Sequence, residues 1–178
     1  MRPPPRQISG EGELYTVALR ALMRRAYSVF EMRVYLERRA GEPVMARRIV
    51  TRLKQEKLID DARYALDFAR YRANSRRQGR YRIVRELRTR GIPDRLIESA
   101  VAQIFSETDE ALAARKLIER RMRSTRAPLD ERRVASLYRM LLRAGFESEI
   151  IRRELHNARR AQAADATPDL EKYSPDEG

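Results

Sequence analysis

The sequence predicts an all-α fold built from tandem repeats of three-helix units, giving an elongated molecule that can curve along its length. Three observations predict it. Apolar residues recur with helical period through the whole body of the chain, and no segment shows the period-two alternation of a half-buried strand. Two helix stops also recur 54 positions apart in a matching frame.

Residues 1–12 begin Met1-Arg2-Pro3-Pro4-Pro5 and then turn Gly/Glu-rich without an apolar period, which predicts a disordered tail. The first unit, 14–58, opens with the stripe Leu14, Val17, Ala18, Ala21 and Leu22 at i, i+3, i+4, i+7 and i+8. Ser28 and Glu31 have capping-box spacing, in which hydroxyl and carboxylate satisfy exposed backbone donors. The second unit, 60–105, starts at Asp60 or Asp61, either of which suits an N-cap. It carries Leu87-x-x-x-Gly91-Ile92, a new start at Pro93-Asp94, and the stripe Leu96, Ile97, Ala100, Val101, Ile104 and Phe105. The third unit, 107–160, has Asp130 as an N-cap and Val134, Leu137, Tyr138, Leu141 and Leu142 as its stripe.

Leu87-x-x-x-Gly91-Ile92-x-x-x-Leu96-Ile97-x-x-x-Val101 matches Leu141-x-x-x-Gly145-Phe146-x-x-x-Ile150-Ile151-x-x-x-Leu155. Each glycine stands where a helix stop needs a left-handed residue. A looser copy lies upstream, where Leu36 precedes Gly41 and then Ile49, Val50 and Leu53. One such unit buries little by itself, so the units are expected to lean on their neighbours and present an extended binding face. Residues 161–178, with a net charge of −4, read as an acidic disordered tail.

The 178 residues carry 39 Lys plus Arg against 26 Asp plus Glu, a formal charge of +13. Setting the tail's −4 aside leaves +17 on residues 1–160. Such an excess favours phosphate or an acidic protein surface as partner. Lysine contributes only Lys54, Lys57, Lys116 and Lys172, so the charge is almost all guanidinium, which grips phosphate and carboxylate bidentately. Cysteine is absent, which excludes disulfides and thiolate chemistry. No stretch is apolar enough to span a bilayer, and the N-terminus lacks a signal-peptide core; a soluble cytoplasmic protein is expected.

The motifs give no enzyme and no cofactor. There is no GxxxxGK[ST] or GxGxxG loop, and no carboxylate pair stands out as an acid/base couple or metal site. The lone His156 reads as a surface residue near the end of the last helix. Carboxylates mostly have arginines at helical spacing, as Glu86 has Arg82 and Arg90.

The strongest charged feature lies between Arg63 and Arg95, where 11 arginines face Asp67, Glu86 and Asp94, a local charge of +8. Arg70, Arg72, Arg76, Arg77, Arg80, Arg82, Arg85 and Arg88 are the candidate binding residues. Arg76, Arg77, Arg80 and Arg82 surround Gly79 at a helix–helix turn, where their side chains are expected to fan outward. Tyr64, Tyr71 and Tyr81 are interleaved; Tyr64, one turn from Phe68, reads as core, while the other two either stack on bases or pack. Sequence-specific readout is not expected, since a recognition helix at 94–105 offers little beyond Arg95 to reach base edges.

Two stretches resemble the RecX family, regulators of the RecA recombinase. One is Leu58-Ile59-Asp60-Asp61-x-x-Tyr64-Ala65-x-x-Phe68; the other is Gly79-x-x-Arg82-Ile83-x-x-Glu86-Leu87-x-x-Arg90-Gly91-Ile92. Ala18-Leu19-x-x-Leu22 and Ser28-x-x-Glu31-Met32-x-x-x-Leu36 add a softer match, and Leu142-x-x-Gly145-Phe146 extends it through the third unit. Met32 stands where leucine is usual, Tyr27 where a basic residue is common, and Ala40-Gly41-Glu42-Pro43 makes the first turn irregular. The signatures read as scaffold, with Asp60 and Asp61 capping the helix that follows.

The resemblance implies a non-enzymatic monomer that binds the RecA–single-stranded-DNA filament, with duplex DNA as a further ligand and no membrane partner. It implies inhibition of RecA ATP hydrolysis, strand exchange and SOS-repressor cleavage. Neutralising Arg76, Arg77, Arg80 and Arg82 together is then expected to weaken inhibition without unfolding. The alternative is a general, non-sequence-specific nucleic-acid-binding protein without a recombinase partner; an adaptor for acidic proteins would bind no DNA.

Overall fold

The computed structural model describes residues 7–124 and 128–165. Among them are α1 (Glu11–Leu22), α2 (Val29–Glu37), α3 (Pro43–Gln55), α4 (Asp61–Asn74), α5 (Arg80–Thr89), α6 (Asp94–Glu107), α7 (Glu110–Arg123), α8 (Glu131–Ala144) and α9 (Ser148–Asp165). The fold is all-α, as the helical period requires. Each helix triplet has its own apolar cluster. Leu14, Met32, Leu36, Ile49 and Leu53 centre the first, Ile83, Leu87, Ile97 and Ile104 the second, and Ile118, Leu141, Phe146 and Ile151 the third. Met32, the departure from leucine, is completely buried, as an unbranched apolar side chain of similar volume allows.

The punctuation forms as its chemistry dictates. Ser28 and Glu31 make both halves of a capping box at α2. Asp60 Oδ1 accepts from the Ala62 and Arg63 amides, and Asp130 accepts from Arg133. Pro43 occupies the first turn of α3, where its missing N–H costs no helical bond. Gly91 and Gly145 take φ of 70° and 92°. Lys57 and Arg77 also take left-handed φ, at 56° and 50°, which costs a residue with a Cβ about 1–2 kcal/mol.

Three expectations change. Residues 7–12 are not a tail: Glu11 and Gly12 open α1, and Ile8 is buried, forms an isolated β-bridge with Ala40, donates its amide to the Arg39 carbonyl at 2.7 Å and accepts from the Gly41 amide at 2.9 Å. The irregular turn after α2 leaves backbone groups unpaired, and an extended residue with an apolar side chain satisfies them while closing the first core. α9 continues to Asp165, because Ala161, Gln162, Ala163 and Ala164 are good helix formers, and His156 therefore sits exposed in mid-helix. Asp61 does not cap α4; its carboxylate reaches back to accept the Val29 amide in the first turn of α2 at 2.9 Å. The other parts of the expected tails, 1–6 and 166–178, lie outside the described residues.

The chain divides into two compact bodies. One holds residues up to Arg76 together with Ile83–Thr108; the other holds Arg77–Arg82 together with the chain from Asp109 onward. In the first body a polar joint links α1–α3 to α4–α6. Ser28 Oγ donates to the Arg90 carbonyl at 2.7 Å, and Gly91 lies so close to Phe30 that a Cβ would come within 2.5 Å of its ring. The family signatures on either side of Asp61 and Gly91 therefore hold this joint together.

Candidate nucleic-acid interface

The candidate arginines fall into both bodies. Arg70, Arg72 and Arg76 lie on or just after α4, and Arg85 and Arg88 on α5, all in the first body. Arg77, Arg80 and Arg82 belong to the second. Each group is held differently.

In the first body Arg72 is tied into the scaffold. It pairs with Glu86 at 3.0 Å and lies over the Phe68 ring at 4.9 Å. Glu86, whose spacing suggested Arg82 and Arg90, thus also takes a partner from α4. Arg90 donates to the Glu86 main-chain carbonyl at 2.9 Å and to the Tyr64 hydroxyl at 3.1 Å, and stands 4.0 Å from Glu31. Tyr64 stacks on Phe68, and burial, assisted by the Glu31 charge, raises its phenol above the usual range. It remains a neutral hydrogen-bonding core residue, as its sequence position suggested.

The remaining candidate arginines of this body are exposed. Arg70 makes only a loose pair with Asp67, at 3.7 Å; Arg76 donates to the exposed Tyr71 at 3.0 Å; Arg88 pairs with Asp94 at 2.8 Å, both about 60% exposed. Arg85 is exposed. Surface pairs of this kind contribute about 0–1 kcal/mol, so a phosphate can take either arginine without a large loss. Arg85 and Arg88 are three apart on α5 and lie on one outward face.

In the second body the expected outward fan does not form. Gly79 is buried, its amide donating to the Ala144 carbonyl at 2.9 Å, while the Tyr81 amide donates to Gly145 at 3.1 Å. The buried Glu110 carboxylate accepts both the Arg80 amide at 3.1 Å and its guanidinium at 3.0 Å. The first turn of α5 has orphan N–H groups like every helix start, and here Glu110 and Gly145 satisfy two of them. Arg82 Nη1 lies 3.4 Å from the Arg143 carbonyl. Arg80 is therefore a capping residue as much as a surface charge, and Gly79 is a packing residue.

Sequence reasoning missed this seam between 79–82 and the α8–α9 turn. The one available signal was Gly79 itself, a glycine at a helix start that needs no left-handed φ and so marks close backbone approach. Glu154 was missed too: it is buried in α9 and takes Arg115 at 2.9 Å and Arg153 at 3.4 Å. Glu110 and Glu154 are buried where the other glutamates are not, and nothing in their sequence neighbourhood marks them.

Among the described residues no three metal-capable side chains gather, and no helix is long and apolar enough to cross a membrane. What the surface offers is guanidinium groups in weak, exchangeable pairs beside exposed Tyr71.

Comparison with known proteins gives one consistent relationship. A family model for the second three-helix domain of RecX matches residues 60–101, and one for the third matches 108–155. A regulatory protein RecX from Trichlorobacter lovleyi is 34% identical over 142 residues, covering 79% of this chain and 92% of that protein. One from Halorhodospira halophila is 35% identical over 135 residues, covering 76% and 81% respectively. The crystal structure of RecX from Lactobacillus salivarius superposes with a TM-score of 0.70 over 83% of this chain and 95% of its own. At 22% identity it speaks to the fold alone.

Proposed function

The chain belongs to the RecX family, and from that premise we propose that it regulates the RecA recombinase, chiefly as an inhibitor, by binding the RecA–single-stranded-DNA filament. The observation that carries the reading is the exposed arginine set of the first body. Arg70, Arg76, Arg85 and Arg88 stand in solvent with no buried partner, beside the half-exposed Tyr71. Such groups contact DNA phosphate or the acidic surface of a protomer, and each phosphate neutralised releases counterions. Bound along several protomers, the protein shifts assembly and turnover only by its differential affinity for one filament state. The Arg80 and Arg82 side chains support the second body, so the sharper probe is Arg70, Arg76, Arg85 and Arg88, not the cluster around Gly79.

The test is single-stranded-DNA-dependent ATP hydrolysis by the cognate RecA, titrated with this protein at moderate salt and repeated with excess DNA. Inhibition well below one molecule per recombinase, persisting in excess DNA, is the expected result. Loss of inhibition in excess DNA would leave a general nucleic-acid-binding protein competing for strands.

A further inference from the structure

A cleft of about 460 Å³ in the first body lies between the α1–α2 turn and one face of α4. Small-molecule sites span about 300–1,000 Å³, so its size suits one. Tyr27, Tyr64 and Phe68 line it, more aromatic side chains than line the clefts at Leu117, at Met122 and at Phe146. Buried Ile59 and partly exposed Leu58 add apolar surface. The aromatic side chains are held in place by the protein itself. On one side Arg25 lies over the Tyr27 ring at 3.6 Å and pairs with Glu31 at 3.0 Å. On the other, Tyr64 and Phe68 stack with their rings 13° from parallel. Arg90 fastens that pair, donating to the Tyr64 hydroxyl at 3.1 Å and lying over Phe68 at 4.6 Å. Walls fixed in this way lose little freedom when a ligand arrives. A flat, largely apolar ring suits the space between them.

The charges of the lining narrow the ligand further. Arg63, Tyr64, Asp67 and Phe68 follow Asp60 at i+3, i+4, i+7 and i+8, so α4 turns one face to the cleft. Asp60 is occupied as the cap of that helix. Asp67 is 66% exposed, in a loose pair with Arg70 at 3.7 Å. Arg63 is exposed too, its guanidinium 3.4 Å from the Lys57 carbonyl. A site for phosphate alone would gain nothing from Asp67, because a carboxylate repels phosphate. A nucleotide uses both signs. An ionised carboxylate accepts two hydrogen bonds side by side, and guanine offers two adjacent donors, N1–H and N2–H. Adenine and cytosine set an acceptor beside their amine, and thymine flanks its one N–H with carbonyls.

We infer that this cleft seats a guanine nucleotide. The base lies between Tyr27 and the Tyr64–Phe68 pair, Asp67 accepts from N1–H and N2–H, and Arg63 meets the phosphate. The guanine comes either as a free nucleotide or as a base of single-stranded DNA. Only the second source rests on the proposed function.

The test follows amide resonances of the full-length protein, without recombinase, as dGMP, dAMP, dCMP or dTMP is added. dGMP should shift the amides of 22–27 and 58–68 to saturation and bind about tenfold more tightly than the other three. Asp67→Asn should remove that preference, because the amide presents a donor where guanine also donates. Arg63→Gln should weaken all four nucleotides alike. Both replace exposed side chains, and an unchanged urea midpoint shows that the fold survives. Equal affinity for the four nucleotides, or shifts centred on other residues, overturns the seat. The source is read from a fluorescent oligothymidylate with and without one central guanine. An approximately tenfold gain from that guanine, lost in Asp67→Asn, assigns the seat to DNA. No gain, with dGMP still bound, upholds the seat for the free nucleotide and overturns its use by DNA. Neither arm contains RecA, so both results stand apart from the inhibition that tests the proposed function.

Discussion

Replacing Gly79 by alanine should uncouple the start of α5 from the α8–α9 turn. A Cβ at Gly79 would stand 2.2 Å from the Gly145 carbonyl oxygen, 2.4 Å from its carbon and 2.5 Å from the Phe146 nitrogen. All three are backbone atoms, so no rotamer change relieves the overlap. Backbone shifts forced by overpacking cost about 1–3 kcal/mol. Opening the seam also weakens the Gly79–Ala144 and Tyr81–Gly145 hydrogen bonds, worth about 1 kcal/mol each. The expected loss is therefore about 3–5 kcal/mol, read as a lowered midpoint in urea unfolding followed by circular dichroism. Hydrogen exchange locates it: the Gly79 and Tyr81 amides should lose protection, while those of α1–α3 keep theirs. Gly12→Ala, with no atom within 4 Å of the new Cβ, is the control and should be neutral or slightly stabilising. A Gly79→Ala protein within about 0.5 kcal/mol of wild type, with both amides protected, would refute the close-approach argument.

Lys57→Gly should stabilise by about 1 kcal/mol, since φ of 56° strains any residue with a Cβ; an unchanged thermal midpoint would contradict this. Arg85→Gln with Arg88→Gln should weaken filament inhibition with little change in unfolding midpoint. Arg80→Gln should lower the midpoint, because it strips the buried Glu110 of its charged donor; equal effects of the two variants on both readouts would remove the distinction drawn between surface and capping arginines. Burial is the main cause raising the Asp61 pKa above its usual 3.8, so the folded state holds that proton more tightly than the unfolded chain. Its contribution is full below that value and is lost as pH rises through the folded pKa. Asp61→Asn keeps an acceptor for the Val29 amide without titrating, so its stability relative to wild type should rise as pH increases from below 3.8 through the raised folded-state pKa. Parallel pH profiles would exclude the effect.

The helices and their stops were legible because they are set by neighbours in sequence. The Leu14–Leu22 stripe, the Ser28–Glu31 box and the left-handed Gly91 and Gly145 each depend on a few consecutive residues and on backbone sterics. The candidate surface was legible only as a charge density. Nothing within a turn of Arg80 announces that Glu110, thirty positions on, will take its guanidinium. Nor does the spacing of Glu86 reveal that Arg72 reaches it from α4.

The sequence by itself therefore determined the all-α class, the three-helix repeat, the family and the excess of arginine. Those follow from periodicity, capping and composition, which act locally or in sum. Only the tertiary structure decided which arginines are tied into the scaffold and which are left in solvent. Guanidinium groups are long, and helices far apart in sequence present carboxylates and carbonyls to them, so an arginine's role depends on what folding brings within a few ångströms. Arg80 became a cap, Arg72 a strut, and Arg85 was left in solvent. Ile8 likewise joined the first core because the turn at Ala40 had backbone groups to satisfy, a demand visible only once α2 and α3 are packed.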